Sequence, residues 1–158
     1  MIDLDAWGEA VQASQFGIWA GGDIYPFANL VHILGLVMLI GGIGILDLRL
    51  AGLFRRIPTA PLAAALTPIA VIGLLLMIPS GAAMFSADAS TLVNSSTFRT
   101  KLFLIGLALA NAVAFRVLWR RRIDQWDLDP PVVGRVMAAI SILLWLWIAA
   151  LGRWIAYS

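Results

Sequence analysis

Four long runs of apolar residues organise the chain, Tyr25 to Phe54, Pro61 to Phe85, Phe98 to Trp119 and Pro131 to Ile155, each separated from the next by a short polar segment. Each reaches the about 20 residues that a helix needs to cross the hydrocarbon core of a bilayer. The pattern predicts an all-α membrane protein, a four-transmembrane-helix bundle over residues 25–158 with spans at about 25–54, 61–85, 98–119 and 131–155. Residues 1–24 form a separate N-terminal segment. Within it Leu4 to Trp19 reads as a short helix with Asp5 as N-cap and Trp7, Val11, Ile18 and Trp19 at apolar positions. Two tryptophans favour the headgroup zone, so this helix is expected to lie on the outer membrane surface.

Small and helix-breaking residues refine the picture. Gly35, Gly41, Gly42 and Gly44 let another helix approach the first span closely and make it a central packing element. The second span opens at Pro61 and carries Pro68 and Pro79, each removing one backbone hydrogen bond and favouring a bend. The bend at Ile78-Pro79-Ser80-Gly81 opens space between helices toward the outer side. Ser95 or Ser96 caps the third span, and Asp129-Pro130-Pro131 supplies an N-cap and a first-turn proline for the fourth.

Composition agrees with lipid as the solvent. Of 158 residues, 61% are hydrophobic and 13% charged, against about 45–50% and about 25% in soluble domains. Too little chain remains outside the spans for a soluble catalytic domain, so any chemistry must use side chains inside the bundle or at its rims. The net charge of +2 does not point to nucleic acid, because the cations sit at loop positions. Arg55 and Arg56 lie in the first loop, and Arg116, Arg120, Arg121 and Arg122 lie around the third; the segment before the first span carries Asp3, Asp5, Glu9 and Asp23 and neither Lys nor Arg. The positive-inside rule then puts both basic loops in the cytoplasm and both termini on the periplasmic side of a bacterial inner membrane. With no cysteine, disulfides, thiolate metal sites and cysteine nucleophiles are excluded. An acidic start without an apolar h-region argues against a removable signal peptide.

Ionisable residues inside spans are costly and become the functional candidates. They fall into two layers. The outer layer holds His32, roughly 10 Å into the first helix, with Arg99 and Lys101 opening the third and Arg153 closing the fourth; His32 and Lys101 are the sole His and Lys. Arg99 reads as a headgroup contact. Cations around one histidine suit an anionic ligand. A haem b fits: the imidazole ligates iron while propionates pair with Lys101 and Arg153. Met84 is the sixth-ligand candidate, with Met77 deeper in the same helix. A quinone headgroup on His32 and Lys101 is an alternative, and a structural histidine binding no cofactor is another. Copper(I) suits His and Met, but the neighbouring cations oppose it. The inner layer holds Asp47, Arg49, Arg116 and Arg135. There Asp47 is expected to pair with an arginine and fix helix register, while Asn111 makes an interhelical hydrogen bond.

Several segments together resemble a family of small bacterial inner-membrane proteins of unknown function. They are Tyr25-Pro26 with His32-Ile33-Leu34-Gly35, Asp47-Leu48-Arg49-Leu50, Gly81 to Ala89, Asn94 to Leu102, Asn111-Ala112 and Gly152 to Tyr157. The resemblance implies a four-helix architecture and selects His32, Asp47, Arg49, Phe98, Lys101, Asn111 and Arg153. More distantly, a first-span histidine with a Lys-Leu pair opening the third span is similar to the membrane protoporphyrinogen oxidase of haem synthesis and to copper-resistance D proteins. The oxidase pattern includes further histidines that this chain lacks. Three functions follow as expectations: a haem- or quinone-binding redox component working with a periplasmic partner or a larger membrane complex, a non-catalytic membrane subunit or scaffold, and a copper or small-solute transporter. A transporter of four short helices without an internal repeat would need to form a homo-oligomer.

Overall fold

A computed structural model describes residues 3–155 of the chain. Among them the regular structure is entirely helical, with helices α1 (Leu4–Gln12), α2 (Gln15–Gly21), α3 (Tyr25–Ala51), α4 (Thr59–Ala87), α5 (Ala89–Leu92), α6 (Ser96–Trp119) and α7 (Val132–Trp154), and a 3-10 turn at Ile123–Gln125. The four long helices α3, α4, α6 and α7 are each long and apolar enough to cross a membrane. Such helices satisfy their own backbone hydrogen bonds, as a lipid environment requires. Ala156 and Tyr157, the end of the closing motif, lie outside the described residues.

Boundaries differ from the expected ones at three caps. Asp3, not Asp5, caps α1, accepting from the N–H groups of Asp5 and Ala6. The expected single helix over Leu4 to Trp19 is broken at Ser14, whose hydroxyl caps α2 by accepting from Gly17 N–H. At α7 the N-cap is Pro131 without a side-chain cap, so Asp129 does not take that role. Ser95 does cap α6, through Phe98 N–H. Pro68 and Pro79 both lie within a continuous α4.

The bundle is built around α3, which packs along α4 on one side and α7 on the other, with α6 packed on α7. In the α3–α4 seam two glycines meet. A Cβ on Gly35 would lie 2.7 Å from the Gly73 carbonyl, and one on Gly73 would lie 2.6 Å from the Gly35 carbonyl and 2.6 Å from Leu39 N. Backbone meets backbone there, the small-residue mode of membrane helix association. Below it Leu39, Ala70, Ala108, Trp145 and Ile148 form the central apolar cluster. By contrast α4 and α6 barely approach each other.

The N-terminal segment docks on this frame. Gly8 of α1 is buried against Ala89, Ser90 and Val93, Gln12 accepts from the N–H and hydroxyl of Ser90, and Asn94 donates to Asp5. Trp7 is thereby placed against Phe85, with ring centroids 5.9 Å apart.

At the opposite end, where the two interhelical loops lie, the last turn of α3 is fastened from several directions. Gly52 takes a left-handed φ of 116°, and the N–H groups of Gly52 and Leu53 bond back to Arg49 and Leu48, the Schellman arrangement that glycine favours. Trp126 Nε1 donates to the Leu50 carbonyl at 3.2 Å and Arg135 Nε to the Ala51 carbonyl at 3.1 Å. Buried Arg49 donates to the Ile57 carbonyl and, at 2.6 Å, to Asp127. The same carboxylate accepts from the hydroxyl and N–H of Thr59, which opens α4. One acid thus joins α3, α4 and the third loop. The expected pairing of an inner arginine with Asp47 is replaced, among the described residues, by this Arg49–Asp127 pair.

Two predictions follow from these seams. Gly73→Ala should lower unfolding stability in detergent by more than about 2 kcal/mol, since overpacking against rigid backbone cannot relax. Gly41→Ala, whose Cβ would meet nothing within 4 Å, should stay within about 0.5 kcal/mol; equal effects would refute the seam. The second concerns Asp127. Chiefly the Thr59 hydroxyl, then its N–H and the Arg49 guanidinium, hold the Asp127 carboxyl below the usual carboxylate range. A depressed folded-state pKa stabilises above the unfolded value of about 3.9 and is lost as the pH falls below it. Asp127→Asn should therefore flatten that acid limb. Asp127→Ala should cost about 2 kcal/mol at neutral pH, the lower part of the range for stranding a buried cation because the carboxylate is 38% exposed. Thermal unfolding across pH 3 to 7 checks both.

Candidate functional site

At the end of the bundle that carries both termini, α3 presents His32 to α4 two turns after its start. His32 Nδ1 lies 3.0 Å from Ser80 Oγ. The direction of that bond can be assigned. Ser80 Oγ donates its own proton to the Leu76 carbonyl at 2.6 Å, so towards the ring it must accept, and Nδ1 carries the hydrogen. The Met77 carbonyl is a second acceptor for the ring. In the neutral imidazole the lone pair then resides on Nε2. Neighbouring Gly81 gives the ring room: a Cβ there would stand 3.2 Å from His32 Cε1.

Lys101, in the second turn of α6, is partly buried and interacts electrostatically with His32. Its stem runs to α7, where a Cβ on Gly152 would lie 3.3 Å from Nζ. No carboxylate lies within ion-pair distance of Lys101 among the described residues. Arg153, adjoining Gly152 at the end of α7, is exposed, as is Arg99. Above this group runs an aromatic ladder from Trp7 to Phe85 to Phe98; the last two rings stack at 5.4 Å and 12° and bring α4 to α6. Phe98 thus has a physical place beside the polar residues.

The structure therefore brings together His32 and Lys101, and adds Ser80, Gly81 and Gly152. Met84, one turn beyond Ser80, packs against the small-residue cluster of Ala20, Ala28, Ala83 and Ala87. Met77 meets Gly35 in the α3–α4 seam. Among the described residues no three of His, Asp and Glu gather as a metal-binding group.

In the half of the bundle nearer the loops, Asn111 Nδ2 donates to the Met137 carbonyl, joining α6 to α7. Asp47 is buried on α3 with Ser141 of α7 in hydrogen-bonding reach. Arg116 is exposed on α6 and Arg49 is taken up by Asp127.

A family model matches residues 5–158. The chain belongs to DUF6644, a family of unknown function. No curated protein and no solved structure matches it significantly, so the more distant likenesses to the membrane protoporphyrinogen oxidase and to copper-resistance D proteins gain no support. What this DUF6644 chain offers chemically is one imidazole with its lone pair on Nε2 and a lysine without a counter-ion among the described residues.

Sequence reasoning reached His32 and Lys101 because each is the sole residue of its kind. It missed Ser80 as the group that orients the ring. The signal was present in Pro79-Ser80-Gly81, a proline followed by a hydroxyl and a residue without a side chain.

The tautomer assignment is testable because one histidine gives one imidazole spectrum. Nitrogen-15 labelling of His32 should show the proton-bearing nitrogen as Nδ1 in the neutral ring. Ser80→Ala should move the Nδ1 resonance and mix the tautomers; an unchanged spectrum would mean that the bond is not made.

Proposed function

We propose that this protein is a haem b-binding redox component of a bacterial inner membrane, with His32 Nε2 as the iron ligand and Lys101 and Arg153 beside the propionates. The observation that carries this reading is the oriented imidazole. Histidines that ligate metals characteristically donate their other ring N–H to a fixed acceptor, which sets the tautomer and aims the free nitrogen. Ser80 supplies that acceptor. Lys101 adds a cation in an apolar setting, where an anionic group gains most from pairing. The same cation disfavours a bare copper ion.

Bound there, haem b would supply one-electron transfer. This chain's own part would be to hold the group through His32, with Met84 as a second candidate to hold it, to neutralise its acidic substituents and to exclude water beneath the Trp7–Phe85–Phe98 ladder. Arg55, Arg56 and Arg120 to Arg122 at the loop end, against Asp3, Asp5, Glu9 and Asp23 at the other, support an orientation with both termini in the periplasm. A periplasmic redox partner or a larger membrane complex would then meet the His32 end.

Oxidised and dithionite-reduced visible spectra of detergent-purified protein, expressed with ample haem, test the reading. The expected result is a Soret band with reduced α and β bands, lost in His32→Ala and weakened in Lys101→Ala. Blank spectra in protein that is folded by the His32 nitrogen-15 signal would overturn it and leave a quinone site or a structural subunit.

A further inference from the structure

The half of the bundle near the loops encloses a cavity of about 970 Å³ between α3, α4, α6 and α7. Its volume is at the upper end of the roughly 300–1,000 Å³ typical of ligand pockets. Residues of α4 and α6 both line it, and these two helices barely approach each other. Most of its wall is apolar, including Leu46, Leu74 and Leu109.

Three buried polar side chains interrupt that wall: Asp47 on α3, 8% exposed, and Ser141 and Trp145 on α7, 5% and 4% exposed. Among the described residues, Asp47 Oδ2 and Trp145 Nε1 each lack a hydrogen-bond partner. An unpaired buried polar atom costs about 1–3 kcal/mol, more when charged. The two orphans are complementary, since the indole N–H can only donate and the carboxylate oxygen can accept. Both line the same cavity. Ser141 and Trp145 stand one helical turn apart on one face of α7, and Ser141 is the residue within reach of Asp47.

We infer that this cavity binds a neutral, hydroxyl-headed amphiphile that enters from the lipid between α4 and α6. One hydroxyl answers both orphans: it donates to Asp47 Oδ2 and accepts from Trp145 Nε1. The apolar wall takes the tail. Asp47 disfavours an anionic head beside it, although the exposed Arg116 and Arg120 line the same cavity, and a ketone or ester head leaves Asp47 Oδ2 without a donor. Two lipid-phase molecules carry this chemistry, a quinol and a glycerolipid with a free hydroxyl. The site is about 22 Å of helix from His32, at 1.5 Å for each of the residues between them, and does not depend on whether haem is bound there.

The test uses full-length protein in phosphatidylcholine nanodiscs, read by the indole nitrogen-15 resonance of Trp145, which is assigned by its absence in Trp145→Phe. Decylubiquinol, kept reduced under anaerobic conditions, and 1-decanol are the probes. A saturable shift of the Trp145 signal is expected with at least one of them. Response to both supports a simple hydroxyl as the recognised group, of the glycerolipid kind, and response to decylubiquinol alone supports a quinol. Asp47→Leu should raise the half-saturation concentration at least tenfold, while Asp47→Asn, which keeps an acceptor oxygen, should stay within about threefold. The His32 nitrogen-15 signal reports independently that each variant is folded. No saturable shift with either probe in folded protein, or equal binding by Asp47→Leu, would overturn the proposal and leave a cavity filled by water or acyl chains.

Discussion

Residues with no side chains let two helices of the bundle meet backbone to backbone. Gly35 and Gly73 bring the backbones of α3 and α4 so near that a single Cβ on either would meet a carbonyl oxygen. In lipid there is no hydrophobic force to drive helices together, so such close packing supplies much of the association. Its consequence reaches beyond the seam. With α4 committed to α3, and α6 held on α7, α4 and α6 barely meet. At the terminal end Phe85 and Phe98 bridge that gap by stacking. Nearer the loops it widens into the cavity that holds Asp47 and Trp145.

The two ends of the molecule are fastened by different chemistry. Near the loops the fastening is ionic: buried Arg49 needs a counter-charge, and Asp127 provides one while also holding Thr59 at the start of α4. The carbonyls that end α3 receive donors from Trp126 and Arg135. This set gives a long helix a defined end and fixes the register of three segments. At the terminal end the fastening is by side-chain hydrogen bonds, Ser90 to Gln12 and Asn94 to Asp5, and by the close contact of Gly8 with Ala89, Ser90 and Val93. Lys101 there has no carboxylate within ion-pair distance among the described residues.

How much of this was legible in the sequence differs between fold and site. Span positions were readable because long apolar runs have one structural solution in lipid; α3, α4, α6 and α7 lie within a few residues of the expected limits. Caps were less legible, since Asp3, Asp5 and Asp129 are all chemically able and the choice depends on how the chain enters the helix. His32 and Lys101 stood out through rarity. Their partners did not, because Ser80 is 48 residues away from His32 in the chain, and only the α3–α4 crossing selects it from the many serines. Asp127 was hidden for the same reason. Read alone, it is one of several acids in a loop; its role is set by Arg49 reaching out of the last turn of α3.

Asp47 shows how the same physics can point in two directions. A carboxylate and arginines at one membrane depth predict an ion pair, because an isolated charge in lipid is costly. The loop-end cations found other acceptors: Arg49 took Asp127 and the Ile57 carbonyl, and Arg135 took the end of α3. Asp47 is left with Ser141 and, among the described residues, one unpartnered oxygen, and the Trp145 indole N–H of the same cavity is unpartnered too. If these groups served packing alone, apolar residues of the same size would fill the space without leaving unpaired atoms, and two complementary orphans would not face one cavity. Their place in the wall of one cavity is the ground on which a binding pocket is proposed there.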